Sequence, residues 1–149
     1  IRGEPSSAAV LLVDGRPRLL LDAGCGVTRA FRALLPGEAL PPIYVTHNHS
    51  DHAGELPVLV AMELAKRHGQ RLEGRPLSPR PRILCHAQLQ PRLLHRRLHE
   101  LRSSNQRWDL EADGPAEGRP ARLRLDETLE VACVRTVHSE LCHGLLVWA

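Results

Sequence analysis

The chain has 149 residues, of which 42% are hydrophobic and 25% charged, with a formal net charge of +3. That length suits one domain around one core, and so small a positive balance does not by itself imply nucleic-acid binding while admitting an anionic substrate. The longest apolar stretches, such as Leu56 to Met62, fall far short of the roughly 20 residues that span a bilayer, so no membrane partner is expected.

Ala8 to Val13 is an apolar run, Asp14-Gly15 fits a tight hairpin turn, and Leu19 to Leu21 supply the returning strand. After Gly24 and Gly26, Thr28 can cap a short helix whose Phe31, Leu34 and Leu35 share a face, and Pro36-Gly37 stops it. A third strand runs from Ile43 to Thr46. From Glu55, the apolar positions Leu56, Leu59, Val60 and Leu64 predict a helix that closes at Gly69. Lys66, Arg67, Arg71, Arg75, Arg80 and Arg82 face one acid, Glu73, among glycines and prolines, which reads as a basic surface loop.

A short strand follows at Arg82 to Cys85, then a helix from about Pro91 with Leu94, Leu98 and Leu101 on one face. Gly114, Pro115, Gly118 and Pro120 mark a loop. Ala121 to Leu125 alternates as a half-exposed strand does, Leu129 to Val137 is the next strand, ending at His138, and Gly144 begins one more. The whole, residues 1–149, reads as a single α/β (α+β) domain without internal repeats. Both ends read as cut, because the chain starts at Ile1 and stops at Ala149 directly after the apolar run Leu145 to Trp148. Cys25, Cys85, Cys133 and Cys142 lack CxxC spacing, and a domain of this size needs no disulfides, so a reducing, cytoplasmic setting is expected.

The segment Thr46-His47-Asn48-His49-Ser50-Asp51-His52-Ala53-Gly54 puts three imidazoles and a carboxylate into six residues behind a buried strand. Neutral imidazole is the commonest transition-metal ligand, and side chains two apart on extended backbone point the same way, so His47 and His49 can grip one ion. Asp51 and His52, past the bend, face a second position. A polar loop with chance histidines would not be expected to combine this string with Gly54 and an apolar helix.

The string resembles the signature of the metallo-β-lactamase superfamily. The resemblance implies a four-layer αββα sandwich with two zinc ions at the sheet edge, manganese or iron being alternatives. Leu19-Leu20-Leu21-Asp22-Ala23-Gly24 is similar to the family's early strand, where Asp22 would support the ligand loop rather than bind metal. Thr136-Val137-His138-Ser139 matches the next ligand motif. By resemblance His47, His49 and His138 hold the first metal, Asp51 and His52 contribute to the second, and Asp51 also serves catalysis by orienting water or taking its proton. Ser6-Ser7-Ala8-Ala9, Gly24-Cys25-Gly26 and Gly54-Glu55-Leu56-Pro57 look most like the ribonuclease Z and phosphodiesterase branch.

The family's bridging aspartate and last histidine have no counterpart before Ala149, so the fold is expected as an N-terminal portion. The function implied is a metal-dependent hydrolase of phosphodiesters, with RNA or a small cyclic or nucleotide phosphodiester as partner. A thioester or lactone hydrolase, or a non-catalytic binding module on the same fold, stays open, as does the oligomeric state. Among other candidates, His86 and His143 could substitute for missing ligands, although each reads more readily as an ordinary residue. His95 and His99, four apart, read as an exposed polar helix face with Arg92, Arg96 and Arg97. Cys133 and Cys142 lack a zinc-knuckle spacing, and Cys25 reads as a small buried thiol.

Overall fold

The computed structural model describes residues 6–103, 111–113, 122–139 and 141–148. Its first sheet has five strands in sequence order: β1 (Ala9–Val13), β2 (Arg16–Leu21), β3 (Ile43–Val45), β4 (Arg82–Cys85) and β5 (Glu111–Asp113). β1 and β2 form the expected hairpin, with Asp14 at φ 51° and Gly15 at φ 73° in its turn, the left-handed pair that matches strand twist. The remaining pairs, β2–β3, β3–β4 and β4–β5, are parallel. The second sheet, β6 (Leu123–Arg124), β7 (Glu130–Arg135) and β8 (His143–Trp148), is antiparallel.

Because successive strand side chains point to opposite faces, neighbouring residues of the first sheet feed two cores. Leu20, Ile43 and Ile83 form one row that packs under helices α1 (Val27–Leu34) and α3 (Leu56–Leu72), with Val27, Leu56, Leu59, Val60 and Leu64. Leu19, Tyr44 and Leu84 face the other way, toward Val131, Cys133 and Leu145 of the second sheet. All three residues of β3 are buried, which accounts for a continuous apolar run instead of alternation. Each such leucine or isoleucine contributes roughly 1.5–3 kcal/mol through its burial. Helix layer, sheet and sheet are thus three layers of the expected sandwich. On the outer face of the second sheet Val134, Leu146 and Trp148 are exposed.

Several boundaries differ from the sequence reading. Helix α1 is capped at Gly26, and Thr28 lies inside it. The carboxylate of Glu55 accepts from the Gly26 and Thr28 backbone N–H groups at 2.6 and 2.8 Å, replacing the local cap with one from across the chain. Helix α3 runs through Gly69 to Leu72, so Lys66, Arg67 and Arg71 are helical and the basic loop begins only after it. Arg67 is buried and donates to the Ser78 carbonyl, which follows from the 3.6-residue period that also buries Val60, Glu63 and Leu64.

The helix expected from Pro91 is two helices, α4 (Gln90–Arg96) and α5 (His99–Ser103). His95 and His99 therefore sit on different elements. β7 stops at Arg135, before Val137, and β8 starts one residue early, at His143. Ala121 and the loop around Gly114 and Pro120 lie outside the described residues, whereas β5 has no counterpart in the sequence reading. None of the four cysteines pairs in a disulfide, and Cys25 is exposed, not buried. No helix among the described residues is long and apolar enough to cross a membrane.

Candidate metal centre

The parallel strands β2 and β3 end side by side, and the chain leaving each is tied to the other. Asp22, just past β2, holds φ 60°, a left-handed conformation that aspartate tolerates better than branched residues. Its carboxylate accepts from the Thr46 backbone N–H at 2.8 Å, from the Thr46 hydroxyl at 2.9 and 3.1 Å, and from His52 Nδ1 at 2.7 Å. A carboxylate can only accept, so the single Thr46 hydroxyl proton is committed to it. Thr46 Oγ1 must then accept from His47 Nδ1, 2.9 Å away. The result is a fixed tautomer: His47 carries its proton on Nδ1 and a lone pair on Nε2. His52, donating through Nδ1, likewise turns Nε2 away from Asp22.

The loop also depends on close backbone contact. The Ala23 N–H donates to the His52 carbonyl, and the Glu55 N–H to the Ala23 carbonyl. A Cβ on Gly24 would stand 2.0 Å from the Asp51 carbonyl oxygen, so only glycine permits this approach. Short helix α2 (Ser50–Ala53) then carries Asp51 and His52. From the other side Arg97, following α4, donates to Asn48 Oδ1 and the Asn48 carbonyl at 2.9 Å each and to Ser50 Oγ at 3.2 Å. Arg97 had been assigned to a solvated helix face; it clamps the loop instead.

His47, His49 and His138 each offer a ligand atom within 4.8 Å of the others. His47 is buried at 2% exposure. Burial, followed by the neighbouring His52, His138 and His49 imidazoles, lowers its pKa from the ordinary value, keeping it in the neutral form that binds metal. Its Nε2 lies 3.2 Å from His49 Nδ1. Two nitrogens bound to one tetrahedral zinc at its usual bond length stand roughly 3.3 Å apart, so this donor pair fits the ion. His138 lies on the exposed segment after β7, its ring 4.5 Å from that of His47 and 5.2 Å from that of His49.

Asp51 and His52 are not part of that triad. His52 Nε2 and Asp51 Oδ2 are 3.5 Å apart, a separation that also suits two ligands of one ion, and the His52 ring lies 4.0 Å from that of His47. All five residues singled out in the sequence are therefore gathered at one end of the first sheet, as a set of three beside a set of two.

His86 and His143 are not in this group. They stack on each other, 3.8 Å between centroids and 5° between planes, both buried, with the His143 N–H donating to the Thr46 carbonyl at 3.1 Å. Cys142 Sγ approaches His47 Nδ1 at 3.6 Å. Tyr44, buried beneath, has its hydroxyl 2.9 Å from Cys133 Sγ and donates to the His143 and Gly144 carbonyls; burial pushes its pKa far up.

A helix layer on a mostly parallel sheet, a second antiparallel sheet and a histidine-rich loop at the strand ends define a class of metal-binding α/β sandwich. The family model described as the metallo-beta-lactamase superfamily matches residues 2–128, and the chain belongs to that superfamily. His138 falls beyond the matched stretch; its place beside His47 comes from the structure. No curated protein matches significantly by sequence.

Solved structures share the fold. The metallo-beta-lactamase fold protein YhfI from Bacillus subtilis aligns with 99% of this chain and 53% of its own at TM-score 0.66 and 16% identity. The short form of human tRNase Z aligns over 95% and 57% at TM-score 0.61 and 21% identity. Zn(2+)-bound PqqB from Methylobacterium extorquens aligns over 96% and 45% at TM-score 0.56 and 18% identity. The chain spans about half the length of these structures.

Proposed function

We propose that this chain carries the metal centre of a zinc-dependent hydrolase that cleaves phosphodiesters, in RNA or in a small cyclic or nucleotide substrate, in a reducing cytoplasmic setting. The observation that carries the reading is the triad of His47, His49 and His138, whose ligand atoms lie within 4.8 Å of one another, together with a tautomer on His47 that leaves Nε2 free for an ion. A zinc ion there would supply Lewis acidity toward water and toward the phosphoryl oxygens.

The protein's own groups do the rest. Asp22 and Thr46 hold His47 and His52 in one ring orientation, which spares the site reorganisation when charge develops. Asp51, with a side chain 62% exposed and 3.5 Å from His52 Nε2, is the group able to orient an attacking water or take its proton, and the pair would contribute to a second ion. Similarity to a tRNase Z favours phosphodiesters as substrates, and similarity to a zinc-bound protein favours zinc.

Metal analysis of the purified full-length protein, paired with hydrolysis of bis-p-nitrophenyl phosphate and of a thioester with and without chelator, tests the reading. Zinc retention with chelator-sensitive phosphodiester cleavage, both lost in His49→Ala, is expected. Zinc retention with cleavage of the thioester alone would replace the substrate class, and zinc retention without either activity would favour a binding module.

A further inference from the structure

Beyond β7, residues Arg135 to Ser139 form one wall of a cavity of about 710 Å3, and Arg92 from α4 stands on another. His138, one of the three clustered histidines, lines the same cavity. The space therefore borders the candidate metal centre through His138, while His47 and His49 do not line it. It is an open cleft, and its volume falls in the range of pockets that take ligands well larger than a lone phosphate.

The described residues of the lining are mainly cationic and neutral. It holds two guanidinium groups, with hydroxyls from Thr136 and Ser139 and the apolar Val137 and Leu141, but no carboxylate among the described residues. Arg92 and Arg135 come from different elements, so their convergence on one space does not follow from either element's own amphipathic pattern. Guanidinium forks match the oxygens of a phosphate in two parallel hydrogen bonds, which an ammonium cannot do.

We infer that Arg92 and Arg135 form a subsite for a second anionic group of the substrate, a phosphate flanking the scissile phosphodiester. The inference rests on the phosphodiesterase reading above and narrows it. A substrate with charge on both sides of the scissile bond spans the metal position and the arginine pair together, whereas a cyclic nucleotide with one phosphate reaches only the first. Val137, fully exposed at the cavity wall, offers apolar surface to the sugar or base between the two charges.

Binding, which needs no turnover, tests this separately from hydrolysis. The whole metal-free chain is titrated calorimetrically with thymidylyl-thymidine and with the same dinucleotide carrying a terminal phosphate at its 5′ or 3′ end. One phosphorylated form should bind about tenfold more tightly than the unphosphorylated one, the worth of a charged hydrogen-bonded pair. Arg92→Ala and Arg135→Ala should each remove most of that preference, and His49→Ala should keep it. Arg135→Lys, which keeps charge and bulk but loses the fork, should retain only part of it, about threefold, and serves if the alanine variant does not fold.

Equal affinity for all three dinucleotides, or a preference that survives the double arginine variant, would overturn the subsite. Tighter binding of a dicarboxylate such as succinate than of the phosphorylated dinucleotide would overturn its assignment to phosphate. A phosphate preference in the zinc-loaded full-length protein that cleaves no phosphodiester would instead sink the phosphodiesterase reading and leave the anion site standing.

Discussion

The ligand loop and the segment after β7 contribute to the same histidine cluster but are built in opposite ways. Thr46, His47 and His52 are held by one buried carboxylate, a glycine contact, and a three-bond arginine clamp. Arg135 to Ser139 are exposed, tied back through Thr136, whose N–H and hydroxyl donate to the Cys142 carbonyl at 3.1 and 3.2 Å. The contrast teaches that one half of the centre is preorganised by its surroundings. The other half, which carries His138 and the cavity arginine, borders the space where a substrate would lie. A site divided in this way can hold an ion in a set geometry beside a wall that is open to a ligand.

The strongest way to break the contrast is Asp22→Ala. It strips acceptors from the Thr46 N–H, the Thr46 hydroxyl and His52 Nδ1 together, and orphaned buried donors should lower stability by about 3 kcal/mol in urea unfolding. Zinc affinity should fall by about 10- to 100-fold, because the tautomer of His47 is no longer imposed. Wild-type zinc affinity in a folded Asp22→Ala chain would mean that the loop is not preorganised from Asp22 at all. Gly24→Ala comes next. Its added methyl meets the Asp51 carbonyl, a backbone atom that can yield only by moving the loop, at a cost of about 2 kcal/mol. Spectroscopy of cobalt bound in place of zinc should then report an altered ligand field.

How much of this was legible beforehand depended on sequence separation. The string from His47 to His52 was readable because its ligands are neighbours along the chain and sit behind an apolar strand, and the hairpin at Asp14-Gly15 was readable for the same reason. Asp22 and His138 came from resemblance to a known motif. The Arg97 clamp on Asn48, the Glu55 cap on α1 and the cavity shared by Arg92 and Arg135 join residues tens of positions apart, and no local period encodes such pairings. Arg67 is a different case. Its buried position follows from the α3 spacing, whereas the surrounding cations and glycines resemble a loop in composition, and at this position periodicity prevails over composition.

A smaller effect should appear in acid. Burial first, then the His86 ring and the Arg135 charge, hold His143 below its ordinary pKa of 6.5. Between that lowered value and 6.5 the unfolded chain binds more protons than the folded one, so stability is lost as pH falls through about 6.5. His47 adds the same sign in the metal-free chain. Urea midpoints of the metal-free protein at pH 7.5 and 5.5, about one unit either side, should differ, and His143→Phe should reduce the difference. An unchanged difference in that variant would remove the stacked pair from the account and leave the ligand loop as the source.

The smallest expected change sharpens the comparison from outside it. Gly69 lies within α3, and a Cβ there meets nothing within 4 Å, so Gly69→Ala should raise stability by about 0.5–1 kcal/mol by restricting the unfolded chain. The variant touches neither half of the centre. If the ligand loop is set by Asp22, Gly24 and Arg97 in an already folded protein, zinc affinity should stay at its wild-type value while the urea midpoint rises, since stabilising a state that is almost fully populated gives the ligand nothing further to bind. If zinc instead bound more tightly in step with stability, the metal-free chain would be only partly folded. The order of the loop would then arise with the ion and not before it, and the contrast between a preorganised half and an exposed one would fall.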